Sequence, residues 1–157
     1  MFKLRNGLRN GLMLGAAIAA IASTAGTAQA QAKPYNDYNY IGGGISDEGF
    51  VVNGKVRVFN AVSVRPAAIV DYDFNDATFL VPVTYDFRPF KVGGSDLLPF
   101  AGGGIRVDTE NDTNFGVLLT GGADYRFSER WTANGSVNVT FIDDTDIDFT
   151  AGVGYTF

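Results

Sequence analysis

From Asp37 to the last residue, apolar and polar side chains alternate with a period of two. The final stretch carries the pattern most cleanly. Ile147, Phe149, Ala151, Val153, Tyr155 and Phe157 share one face, and Asp148, Thr150, Gly152, Gly154 and Thr156 share the other. The same stripe recurs in Trp131, Ala133, Gly135, Val137, Val139 and Phe141, in Phe115 to Phe127, and in Phe79 to Phe87. A helix would bring like residues together three or four apart, so these segments are strands. Breaks in the alternation predict eight of them: 37–46, 50–59, 61–72, 76–88, 97–108, 114–127, 130–142 and 146–157. Gly42, Gly43 and Gly44 blur the first strand, and Val51-Val52 leaves the register of the second open.

An alternating strand has two homes. In a soluble sandwich or lipocalin-like barrel the apolar face points inward; in a membrane barrel it meets lipid. Four features favour lipid. The polar stripe is rich in Gly, Thr, Ser and Asn, which suits a narrow packed lumen better than a solvated face. Aromatics gather at strand ends, with Phe79, Phe115, Phe141 and Phe149 near one end and Tyr85, Phe87, Tyr125, Phe127, Trp131, Tyr155 and Phe157 near the other. The span from Trp131 to Phe141, at ~3.3 Å per residue and ~40° tilt, rises about 25 Å, the height of the apolar band of such barrels. The apolar face of the four clear strands carries no charge, and an even strand count closes a barrel without an unpaired edge.

The first thirty residues read as an address. Lys3, Arg5 and Arg9 precede an apolar run from Leu12 to Ala22, and small residues lead to Ala28-Gln29-Ala30. That order is a secretory signal peptide with cleavage after Ala30. It predicts a signal peptide over 1–30, a short periplasmic tail over 31–36 and a barrel over 37–157. The mature chain would hold nine basic residues against seventeen acids, a net charge of −8. Nucleic acid is therefore not an expected partner. Only 18% of residues are charged, against roughly 25% in soluble domains. Cysteine and histidine are absent, which removes disulfides, thiolate chemistry and histidine-dependent catalysis. No other acid–base constellation stands out, and a non-enzymatic role is expected.

The chain ends Val153-Gly154-Tyr155-Thr156-Phe157, and Pro99-Phe100-Ala101-Gly102-Gly103-Gly104-Ile105 forms a glycine-rich strand. With the signal peptide and alternating hairpins, these motifs resemble the small eight-stranded outer-membrane β-barrels of the outer-membrane protein A- and X-like, porin-family group, over essentially all of 37–157. The resemblance implies an all-β, antiparallel up-and-down barrel with lipid of the outer membrane as its surroundings. It also implies that Tyr155 and Phe157 form the signal read by the barrel-assembly machinery, and that both termini face the periplasm. A monomer without a cofactor is expected.

With that orientation, charge sorts by rim. The outer loops, with Asp148, hold twelve of the seventeen acids. Asp71, Asp73, Asp76, Asp108, Glu110, Asp112, Asp143, Asp144 and Asp146 are the candidate divalent-cation rim, where loosely bound Ca²⁺ or Mg²⁺ would relieve repulsion. The bland reading of the same acids is solubility. Asp71-Tyr72-Asp73 starts like an EF-hand, but Asp76 replaces the required Gly and Pro82 the required Glu, so no EF-hand is expected.

By parity Lys55, Arg57, Arg65, Asp86, Arg106, Asp124 and Arg126 point into the lumen. They predict a salt-bridge network plugging the barrel. The functional alternative is a narrow path with weak anion preference, since the cations outnumber the acids. A hairpin tip near Phe74-Asn75 places Thr84 opposite Arg65, and Pro66 and Pro82 face each other across that hairpin. Function reads as a structural or minimally permeable membrane barrel; a soluble secreted ligand-binding barrel and a surface adhesion module are the alternatives.

Overall fold

The computed structural model describes residues 34–157, so the expected signal peptide and residues 31–33 lie outside the described residues. Ten strand segments follow one another: β1 (Tyr40–Ser46), β2 (Gly49–Phe59), β3 (Val62–Val64), β4 (Ala67–Asp71), β5 (Ala77–Asp86), β6 (Phe90–Val92), β7 (Ser95–Asp108), β8 (Asn114–Arg126), β9 (Trp131–Phe141) and β10 (Thr145–Thr156). β3 and β4 both pair with β2 on one side and β5 on the other, so they are one wall strand interrupted at Arg65-Pro66. β5 and β6 both pair with β7 and form another. The wall therefore has eight antiparallel strands, and the pairing of β1 with β10 closes it. Closure leaves no sheet edge along the wall, which is what a lipid environment requires.

The alternation settles into one register. Phe50 and Val52 point outward and Val51 inward, which resolves the second strand. Among the described residues, large apolar side chains are far more often exposed than buried, the reverse of a soluble core. Hiding one such side chain from water is worth about 1.5–3 kcal/mol, so the wall is built for an apolar solvent. The aromatic ends lie on this outer surface, with Trp131 and Tyr155 meeting edge to face at 5.6 Å and Tyr85 and Phe87 at 5.2 Å. Inside, close contact replaces bulk: a side chain at Gly154 would run into the Tyr40 ring, with its Cβ 2.6 Å from Cδ2.

Three local expectations are corrected. The turn expected over 89–96 is a short hairpin of β6 and the start of β7, reversed at Gly93 and Gly94, whose φ of 58° and 82° suit glycine. In the hairpin that joins the β3–β4 wall strand to β5, Ser63 of β3, not Arg65, pairs with Thr84, a slip of two residues that leaves every side chain on its expected face. Arg65 lies opposite Pro82 and donates its N–H to that carbonyl at 3.0 Å, so the two prolines do not face each other. Pro66 sits in the break between β3 and β4, where its carbonyl accepts the Gly54 N–H at 3.0 Å.

Candidate functional site in the lumen

The strands carry two ionic clusters into the lumen. The lower cluster centres on Arg65, beside the proline break. Its Nη2 meets Asp86 Oδ1 at 2.9 Å and its Nη1 meets Asp124 Oδ2 at 2.9 Å. Its Nε donates to Thr84 Oγ1 at 3.0 Å, and its guanidinium lies 3.6 Å from the Phe100 ring centroid. Lys55 Nζ adds a second cation 3.3 Å from Asp86 Oδ2. Ser63 Oγ donates to the same oxygen at 2.5 Å. Two cations thus balance two aspartates, all buried, and each carboxylate has more than one donor. A buried charge is tolerable only with such partners.

Residues 34–39 complete this cluster. Asn36, expected in a polar periplasmic tail, is fully buried. Its Nδ2 donates to Asp86 Oδ2 at 3.1 Å and its carbonyl accepts from Lys55 Nζ at 3.2 Å. Tyr38 OH donates to Asp124 Oδ2 at 2.6 Å, and its ring lies 3.3 Å from Lys55 Nζ. Burial, reinforced by the Asp124 charge, raises the Tyr38 hydroxyl well above the ordinary phenol range, so it remains a donor. The segment stoppers the mouth.

The upper cluster has the opposite balance. Arg106 meets Glu48 Oε1 at 2.8 Å, Asp108 Oδ1 at 2.8 Å, and Asp148. One cation serves three acids. Above it opens a cup of about 390 Å³, walled by Asp71, Asp76, Glu110 and Asp146 with Arg106 and Ile69 among its lining. Between the two clusters, on β2, β4, β5 and β8, lie Val51, Ala67, Ile69, Leu80 and Leu118, a contiguous buried apolar group. On β5, for example, Leu80 separates Thr78, bonded to Asp108, from Thr84, bonded to Arg65.

The seven expected lumen residues therefore do not form one network. Lys55, Arg65, Asp86 and Asp124 come together; Arg106 belongs to the other cluster. Arg57 stays at the mouth beside the lower cluster, half-exposed, paired with Asp37 at 2.7 Å. Arg126 makes no ion pair among the described residues and stacks 4.7 Å from the Tyr38 ring. The expected cation excess fails because Glu48, Asp108 and Asp148 also reach inward. Asp148 sits on the same parity as Thr150 and Thr156, so its inward position was readable. Of the rim acids, Asp71, Asp76, Asp108, Glu110 and Asp146 line the cup, whereas Asp73, Asp112, Asp143 and Asp144 stand exposed on the loops. Among the described residues no three acids converge into a metal-sized group. Tyr155 and Phe157 are exposed on the outer wall.

No family model matches the chain, and no curated protein matches its sequence. Among solved structures, the N-terminal β-barrel domain of Pseudomonas aeruginosa OprF superposes with a TM-score of 0.60, covering 76% of this chain and 96% of that one at 16% identity. The fold is that of an eight-stranded outer-membrane-type β-barrel. A structure from the de novo design of transmembrane β-barrels agrees, with a TM-score of 0.54, 82% and 100% coverage, and 16% identity. The barrel shares its fold with these proteins.

Proposed function

We propose that the protein is an outer-membrane barrel that serves as a structural, minimally permeable wall element and not as an open porin or an enzyme. The observation that carries this reading is the filled lumen: the Asp86–Arg65–Asp124 bridge with the Asn36–Tyr38 stopper below, and the Val51–Ile69–Leu80–Leu118 group above. An eight-stranded interior is just wide enough for side chains to fill, and here the two ionic clusters and the apolar group between them occupy it, with a small cavity of about 40 Å³ beside that group. The apolar outer wall supports lipid surroundings over the soluble ligand-binding alternative. Export through the expected signal peptide, and assembly through Tyr155 and Phe157, belong to the same proposal. Reconstituted in a planar bilayer, the refolded mature chain should give no stable conductance steps. Reproducible single-channel openings would overturn the reading. A chain that stays folded and monodisperse without detergent would overturn the membrane assignment itself.

A further inference from the structure

The apolar group does not fill the whole cross-section of the lumen. Against β9 and β10 lies an interior cavity of about 40 Å³, lined in part by Asn53, Thr120, Asn134, Ser136, Asn138 and Thr150. Several of these side chains satisfy one another: Asn53 Nδ2 donates to Asn134 Oδ1 at 2.7 Å, Thr120 Oγ1 to Asn138 Oδ1 at 2.7 Å, and Ser136 Oγ lies 2.6 Å from Thr150 Oγ1. Three buried atoms are left over, Asn53 Oδ1, Asn134 Nδ2 and Asn138 Nδ2. Leaving a buried amide group without a partner is costly, and native interiors rarely do so.

The leftover set selects its ligand. A bare cation would serve Asn53 Oδ1 and leave two N–H donors facing it. A bare anion would serve the donors and leave the carbonyl. Water both donates and accepts. Asn134 and Asn138 are four residues apart on one strand, ~13 Å at ~3.3 Å per residue, so one molecule cannot reach both. A water needs about 10–15 Å³ by this measure, which gives room for about three. We propose that this cavity is a built water site holding a short file along β9, from the Asn53–Asn134 pair past the Ser136 and Thr150 hydroxyls to Asn138. Its lower end is lined by Tyr40 and Arg65 of the mouth cluster. Its upper end lies at Asn138, which is in register with Asp148, the partner of Arg106. The file joins the two ionic clusters by hydrogen bonds, passing beside the apolar group and not through it.

Water-to-protein cross-relaxation in the NMR spectrum of the refolded chain in deuterated micelles tests this directly. Bound, long-lived water should give cross-peaks to the side-chain amide protons of both Asn134 and Asn138. Asn138→Leu, which fills the upper end, should keep the water contact at Asn134. If that variant does not refold, the unmodified chain decides alone. Absence of water cross-peaks at both amides would overturn the proposal. So would movement of those amide signals when sodium or chloride is exchanged for a bulky ion at constant ionic strength, since that would mark an ion in the cavity.

Discussion

The two ionic clusters are built from the same residue types and differ in their stoichiometry. At the mouth, Lys55 and Arg65 face Asp86 and Asp124, charges balance, and the hydroxyls and amides of Asn36, Tyr38, Ser63 and Thr84 take up remaining positions. At the rim, Arg106 alone holds Glu48, Asp108 and Asp148 under a cup walled by further acids. The first arrangement is that of a permanent tie, sealed from solvent on all sides. The second is acid-rich and open to solvent and to cations in it, so its energetics should respond to the medium where those of the first do not.

The sharpest way to break this contrast is to remove each arginine. Arg65→Met should destabilise the refolded barrel by about 3–5 kcal/mol, because two buried aspartates lose a shared partner. Arg106→Met should cost less, about 2 kcal/mol, since two of its three acids, Glu48 and Asp108, are partly open to solvent and counter-ions. Urea unfolding followed by tryptophan fluorescence from Trp131 measures both; equal costs would erase the distinction. Next, Tyr38→Phe removes one donor from Asp124 while Arg65 and Tyr40 remain, and should cost about 1.5 kcal/mol in the same assay. A neutral result would mean that the stopper segment merely rests in the mouth. A smaller effect separates the clusters by salt. Raising NaCl from 0.1 to about 1 M should change the stability of Glu48→Gln relative to the parent, and leave the increment of Ser63→Ala unchanged. The smallest expectation concerns the rim: millimolar calcium should raise the melting temperature by a degree or two, and no shift would end the divalent-cation reading of those acids.

Parity made much of this lumen legible. Lys55, Arg65, Asp86, Arg106 and Asp124 lie inside because alternation fixes the face, and a two-residue slip in the β4–β5 hairpin cannot change it. Partner choice was not legible. Arg106 sits on the same stripe as the others, and only the closure of β7 and β10 around the rim brings Asp148 to it. Leu80 and Leu118 were hidden for a different reason: a single apolar residue on a polar stripe looks like tolerance until its counterparts on other strands are known. The stopper was hidden in another way: Asn36 fell in the expected polar tail and Tyr38 in the expected first strand. Tyr35, an aromatic in the tail expected to be polar, was the hint.

The seam between β1 and β10 joins Tyr40 to Thr156, and Asn39 and Phe157 exchange two backbone hydrogen bonds just beyond it. These partners lie at opposite ends of the described chain. Every other wall pairing is between strands that follow one another and can zip up from a turn, whereas this one must wait for all the rest. The mouth cluster depends on the same event, because the residues that stopper it lead directly into β1. Sealing of the wall and plugging of the lumen are then a single late step, and the lifetime of the open, half-zipped barrel is the interval in which the chain is most exposed to misassembly.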